Sequence, residues 1–302
     1  MSLDQLYVLT RFIHFMAVML MFGMSIFTAT LAVDRFALLL SSQLKKGLIF
    51  STLITALTTF AWMFIQAGLM GDGWEDAFDF STWISVLGTT FGQSWRWELI
   101  LSVAAMAALT LKSPRWRNRG LLIISIGLLA VHATIGHAAM YSGMRGILHQ
   151  INQFIHLVSS AYWFGGLWPF LICIQFMRDK QQLTGDLDPA ILPSIIRTMT
   201  RFSQIGHIAV ILVLITGTIN SLLLLPGWPI NFTFSDYQSL LGLKIGLVLV
   251  MLILAVVNRY VLVPKLKLAG RLQYLIINSW IELILGTMAI LAVAIFATYQ
   301  PA

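Results

Sequence analysis

Long apolar runs recur along this chain, and short polar segments carrying its charges separate them. A helix rises 1.5 Å per residue, so about 20 residues cross the roughly 30 Å hydrocarbon layer of a bilayer. On that measure the runs predict eight spans, at about 5–33, 47–70, 94–111, 120–141, 148–177, 200–225, 238–263 and 272–298. The expected fold is all-α, a polytopic membrane helix bundle in which residues 1–302 form a single integral membrane domain. No repeat relates the two four-span halves. The segment DKQQLTGDLDP (179–189) reads as a short cytoplasmic loop rather than a domain linker. The opening MSLDQLYVLTRF lacks the basic stretch of a signal peptide, and the run after it is long enough to span.

The polar segments also orient the bundle. Arg35, Lys45 and Lys46 fall between spans one and two, and Lys112, Arg115, Arg117 and Arg119 between three and four. Arg178, Lys180, Arg197 and Arg201 lie between five and six, with Arg259, Lys265, Lys267 and Arg271 between seven and eight. These alternate loops hold 15 of the 19 basic residues. The positive-inside rule makes them cytoplasmic and places both termini on the periplasmic side.

Composition agrees. Hydrophobic residues form 58% of the chain and charged ones 10%, against about 25% charge in a soluble domain. The net charge of +7 is accounted for by the basic loops, so no nucleic-acid partner is needed; membrane lipid is the expected surround. The single cysteine, Cys173, excludes a disulfide framework and an all-cysteine zinc site. Residues 71–97 carry Asp72, Glu75, Asp76 and Asp79 among Trp74, Trp83, Trp95 and Trp97. They read as an outer loop with an interfacial helix held by aromatic anchors.

Candidate chemistry concentrates between His132 and Trp168, which holds His132, His137, His149 and His156 with Met140 and Met144. Ionisable side chains are expensive in hydrocarbon and mark functional sites. With the expected topology, five of the six histidines, including His14, fall in the outer half or near the midplane; His207 lies toward the cytoplasm. His149 and His156 are seven apart on one helix face with Asn152 between them. Their backbones are then about 10 Å apart, too far to chelate one ion through bonds of about 2 Å. Successive sites, or sites shared with other helices, fit better. Imidazole with thioether is a soft ligand set that suits copper, as Cu(I) or Cu(II), over magnesium or calcium. His207, with Ser203 one turn back, reads as a packed residue bonded to its own helix. Glu282 in span eight is a candidate for an ion path, as is Asn152.

Two functions follow. One is copper translocation or delivery, received by Met144, Met140 and His137, passed to His149 and His156, with Glu282 or His14 as deeper stations. The chain has no GxxxxGK[ST] or DKTG motif, so transport would not use a nucleotide domain of its own. The other is a membrane cytochrome holding haem b between histidines on different spans, drawn from His14, His132, His137, His156 and His207, and acting as a cupric reductase or electron carrier.

Several motifs share a source. RFIHFMAVMLMFG at the start, GHA at 136–138, His149-x-x-Asn152-x-x-x-His156, WFGGL at 163–167, RFSQIGH at 201–207, TG at 216–217 and LKIGLVLVMLILAVVNRYVLVP at 243–264 together resemble the CopD/PcoD copper-resistance membrane proteins, including their YebZ type. The likeness covers nearly the whole chain. It implies a multi-pass protein of the bacterial inner membrane that handles copper, beside a periplasmic carrier of the CopC type. By position, it carries ligand roles onto His137, His149 and His156.

Overall fold

The computed structural model describes residues 2–136, 140–182, 191–225, 235–263 and 271–299, and every regular element among them is helical. Helix α1 (Leu3–Ile26) continues through a π-helical turn, Phe27–Leu31, into α2 (Asp34–Met70). Two short helices follow, α3 (Trp74–Ala77) and α4 (Phe80–Gly88), and then α5 (Thr90–Leu109) and α6 (Pro114–His132). The remainder comprises α7 (Gly143–Gln182), α8 (Ile191–Leu224), α9 (Asp236–Val257) with a π-helical turn at Asn258–Leu262, and α10 (Arg271–Phe296).

Local chemistry sets several of these ends. Ser2 and Gln5 form a reciprocal capping box at the start of α1. Asp79 caps α4 by accepting from the Ser81 and Thr82 amides, and the Thr89 hydroxyl caps α5 through the Gly92 amide at 3.1 Å. Pro114 occupies the first turn of α6, where its missing N–H costs nothing. Beyond His132 the chain turns through Gly136, whose φ of +75° is a left-handed conformation that glycine adopts without strain.

Among the described residues, six stretches are long and apolar enough to cross a membrane: Leu3–Leu31, Arg35–Met70, Gly143–Arg178, Ile191–Leu224, Asp236–Leu262 and Arg271–Phe296. They correspond to expected spans one, two, five, six, seven and eight. The other two expected spans are α5 and α6, and both are helices. Arg96 and Glu98 dilute the apolar character of α5, and Arg115, Arg117 and Arg119 that of α6. The second span also begins earlier than expected. Arg35, Lys45 and Lys46 ride on α2 itself, so the first basic segment is helical rather than a loop. The fourth expected span ends at His132 instead of 141.

Helix α1 is the hub, packing against α2, α6, α7 and α10. Its approach to α7 is a backbone contact between glycines. A Cβ on Gly23 would lie 2.0 Å from the Gly165 carbonyl carbon, and one on Gly165 would lie 2.0 Å from the Met19 carbonyl oxygen. In a membrane, where lipid is as apolar as a side chain, such close small-residue packing is a main source of helix association. The glycines of the WFGGL run therefore fix where α7 sits. Within residues 71–97, Trp83 Nε1 donates to the Ala77 carbonyl at 2.8 Å, while Trp95 is fully buried among the helices.

Candidate metal centre

Three buried side chains from three helices meet beside α1. His14 projects from the middle of α1, Glu98 from two turns inside α5, and His132 from the last position of α6. One potential ligand atom from each lies within 4.8 Å of the others. His14 Nε2 stands 3.0 Å from Glu98 Oε1, and His132 Nε2 stands 3.7 Å from the same oxygen. His14 and Glu98 have no exposed side-chain surface, and His132 is 5% exposed. The two imidazoles meet edge to face with centroids 5.0 Å apart.

The surrounding hydrogen bonds define the proton inventory. Thr58 Oγ1 donates to the Ile54 carbonyl at 2.6 Å, which uses its only hydrogen. At 2.8 Å from His14 Nδ1 it can then only accept, so His14 carries its proton on Nδ1. His14 Nε2 is left with a lone pair directed at a carboxylate oxygen. Two lone pairs 3.0 Å apart repel unless a positive centre lies between or beside them. That centre is a proton or a metal ion. Among the described residues, Glu98 Oε2 and both ring nitrogens of His132 have no partner within ordinary hydrogen-bond geometry. A buried polar atom without a partner costs about 1–3 kcal/mol, and a charged one more, so His132 Nε2 and Glu98 Oε2 together call for a ligand.

Aromatic rings close the site. Trp62 lies 5.7 Å from His14 and 6.4 Å from His132, Phe15 lies 4.8 Å from His132, and Trp95 packs 4.8 Å from Trp62. Trp95 is held by its Nε1 donating to the Thr59 carbonyl at 3.3 Å. Arg11, one turn from His14, spreads its guanidinium over Phe15 and Trp62 at 5.6 and 5.9 Å. Two imidazoles and a carboxylate in a dry aromatic chamber are a nitrogen and oxygen donor set suited to a borderline transition metal. Thr58 accepts from His14 Nδ1 and so holds the ring with Nε2 toward Glu98. With the His14 and His132 rings in contact, no macrocycle fits between them, and this pair suits a bare ion rather than haem.

The other expected site residues divide into separate groups. His149 and His156 face α8 instead of the His14 centre. His156 Nδ1 lies 2.9 Å from Thr216 Oγ1, and Asn152 Nδ2 donates to Asn220 Oδ1 at 2.8 Å and to the Thr216 carbonyl at 3.1 Å. His149 is buried, and its Nδ1 has no hydrogen-bond partner among the described residues. Met140 and Met144 are exposed, at 62% and 71%, near the end of α6 and the start of α7. His137 lies outside the described residues. His207 bonds the Ser203 carbonyl at 2.7 Å, the helix-internal contact expected of it. Glu282 is buried far along α10, where Asn258 Nδ2 donates to it at 2.6 Å.

The sequence reading left out Glu98. Its signal was present, since a carboxylate two turns inside an apolar helix is costly and usually functional. The adjacent Trp95, Arg96 and Trp97 instead marked the segment as interfacial.

The fold and this centre define a polytopic helical membrane protein with a buried His–Glu–His cluster of metal-ligating type. Residues 2–147 match the family of copper resistance protein D-like N-terminal domains, and residues 196–296 match the copper resistance protein D family. The chain is 33% identical over 293 residues to inner membrane protein YebZ of Escherichia coli (strain K12), covering 96% of this chain and 97% of that protein. It is 28% identical over 285 residues to copper resistance protein D of Pseudomonas syringae pv. tomato, covering 88% and 85% of the two chains. The chain belongs to the CopD/YebZ-like copper resistance protein D family.

Proposed function

We propose that this protein takes up copper at the periplasmic face of the bacterial inner membrane and passes it into the membrane through the His14–Glu98–His132 centre. The observation that carries this reading is the approach of His14 Nε2 to Glu98 Oε1 at 3.0 Å, beside Glu98 Oε2 and His132 nitrogens that have no hydrogen-bond partner among the described residues. Copper here is cargo. Two relatives covering most of the chain are named for copper resistance or the inner membrane, which supports the cargo and the location.

The topology proposed is eight spans with both termini periplasmic, α5 and α6 supplying the third and fourth. The centre then lies in the outer half of the bundle. Met140 and Met144 are soft, exposed ligands on the same side, where a CopC-like periplasmic carrier would hand over its ion. His149 and His156, buried at the α7–α8 seam, form the next station.

The test is metal analysis of the purified protein after copper loading. Wild type is expected to hold copper in the centre, while His14→Ala, Glu98→Ala and His132→Ala each lose it with helix content unchanged. Copper content unaffected by all three substitutions would sink the assignment.

A further inference from the structure

A second buried carboxylate has no part in the copper centre. Glu282 lies at the twelfth position of α10, about 16 Å along the helix from Arg271, and is 3% exposed. Its Oε1 accepts from Asn258 Nδ2 at 2.6 Å, and its Oε2 faces Trp163 Nε1 at 3.4 Å. Asn278 Nδ2 in turn donates to Asn258 Oδ1 at 3.0 Å. Asn258 opens the π-helical turn that follows α9, a deviation that often marks functional positions.

These partners are neutral, and that matters. A carboxylate in hydrocarbon is ordinarily held ionised by a bonded cation, or else stays neutral. The nearby Arg259 bonds Ser203 instead. The central amide suits either state: its NH2 donates to the carboxylate, and rotating it by half a turn offers its oxygen to a carboxylic O–H. The protonation state is therefore not locked. Glu282 also lines a cavity of about 380 Å³ between α7, α8, α9 and α10, together with Asn258, Arg259, Ser203 and His207. Apolar side chains make up most of its lining, and Glu282 belongs to the small polar group within it.

We propose that Glu282 is a proton-exchange site, taking one proton from solvent onto a carboxyl oxygen at low pH and returning it to solvent as pH rises. The ionisable groups facing it are His207 from α8 and Arg259 and Tyr260 from the turn after α9, while α7 contributes the neutral Trp163. On α1, which also packs against α10, the ionisable Asp4, Tyr7, Arg11 and His14 all lie in the first half of the helix. Lys244 is 14 residues before Asn258, about 21 Å along α9.

The test is difference infrared spectroscopy of the copper-free full chain during a titration from roughly pH 5 to pH 9, the range that buried carboxyls reach. A protonated-carboxyl band is expected to disappear on raising the pH, to be lost in Glu282→Gln and to persist in Glu98→Gln. Asn258→Ala, which removes the amide but keeps the acid, should move the midpoint. A wild type with no pH-dependent carboxyl band, a band that survives Glu282→Gln, or an unmoved midpoint in Asn258→Ala would each overturn the proposal. Because copper is absent throughout, failure here leaves the reading of the His14 centre standing.

Discussion

His14 Nε2 and Glu98 Oε1 stand 3.0 Å apart, close enough to call for a proton or a metal ion between them. The Nδ1 hydrogen is directed away, at Thr58 Oγ1 2.8 Å off, because that hydroxyl donates to the backbone of its own helix, and the neutral ring then offers Nε2 as its free donor atom. A threonine that bonds its own helix thus decides which nitrogen of a neighbouring histidine can bind a metal.

From this follows a test that spares all three candidate ligands. Thr58→Val keeps the volume but removes the acceptor for His14 Nδ1–H. The imidazole is then free to rotate and to carry its proton on Nε2. Copper affinity is expected to fall about 10–100-fold, the usual loss when an outer-shell partner of a metal ligand is removed. Titration with a competing chelator measures it, and an unchanged affinity would contradict the tautomer assignment.

Met140 and Met144 sit outside that chamber, and their substitution should read out differently. Exchanging both for isoleucine preserves apolar bulk and removes the thioethers. If they receive the ion from a carrier, copper content at equilibrium stays at the wild-type value while the rate of loading from a copper-bound carrier drops. Stopped-flow transfer with and without the pair distinguishes the outcomes. Equal rates would make them ordinary surface methionines.

How much of this was legible in the sequence depends on distance along the chain. The histidines announced themselves singly, since each is an expensive residue in an apolar segment. The His149–Asn152–His156 face was readable because all three share one helix, and α7 does present them together to α8. The meeting of His14 with His132 required the packing of α1 on α6, which no spacing rule reports. Glu98 was hidden by its neighbours: two tryptophans and an arginine look like a membrane boundary. The true start of α5 at Thr90 lies a turn earlier than expected, which carries Glu98 inside. The end of α6 moved the other way, and so His132 became a terminal side chain free to reach across to α1.

Asp79 gives a pH-dependent expectation outside the spans. Hydrogen bonds from the Ser81 hydroxyl first, and then from the Thr82 hydroxyl and amide, draw its carboxyl down from 3.8 to about 2. A group whose folded value lies below its unfolded one stabilises the fold above the unfolded value, and that contribution disappears as pH falls through the folded value. The cap on α4 should therefore hold at pH 4 and above and fail as pH approaches about 2. The amide resonances of Ser81 and Thr82 should shift over that window in wild type and show no such transition in Asp79→Ala. A transition centred near 4 would mean that the cap bonds are absent.

The sharpest structural prediction concerns Gly165. A methyl group there would overlap the Met19 carbonyl oxygen at 2.0 Å, and the same addition at Gly23 would overlap the Gly165 carbonyl carbon. Neither clash can be relieved by a side-chain rotation, because both partners are backbone. Gly166 differs, since a methyl there meets the Phe202 ring edge at 2.4 Å, and a ring can turn. Gly165→Ala should force α1 and α7 apart and cost at least the 1–3 kcal/mol typical of overpacking, with Gly166→Ala the milder change. Since α1 also carries His14, separation at this seam should weaken copper binding without touching a ligand. Thermal unfolding in detergent and chelator titration of the two variants check both halves. A Gly165→Ala protein as stable as wild type would mean that the two helices do not approach this closely.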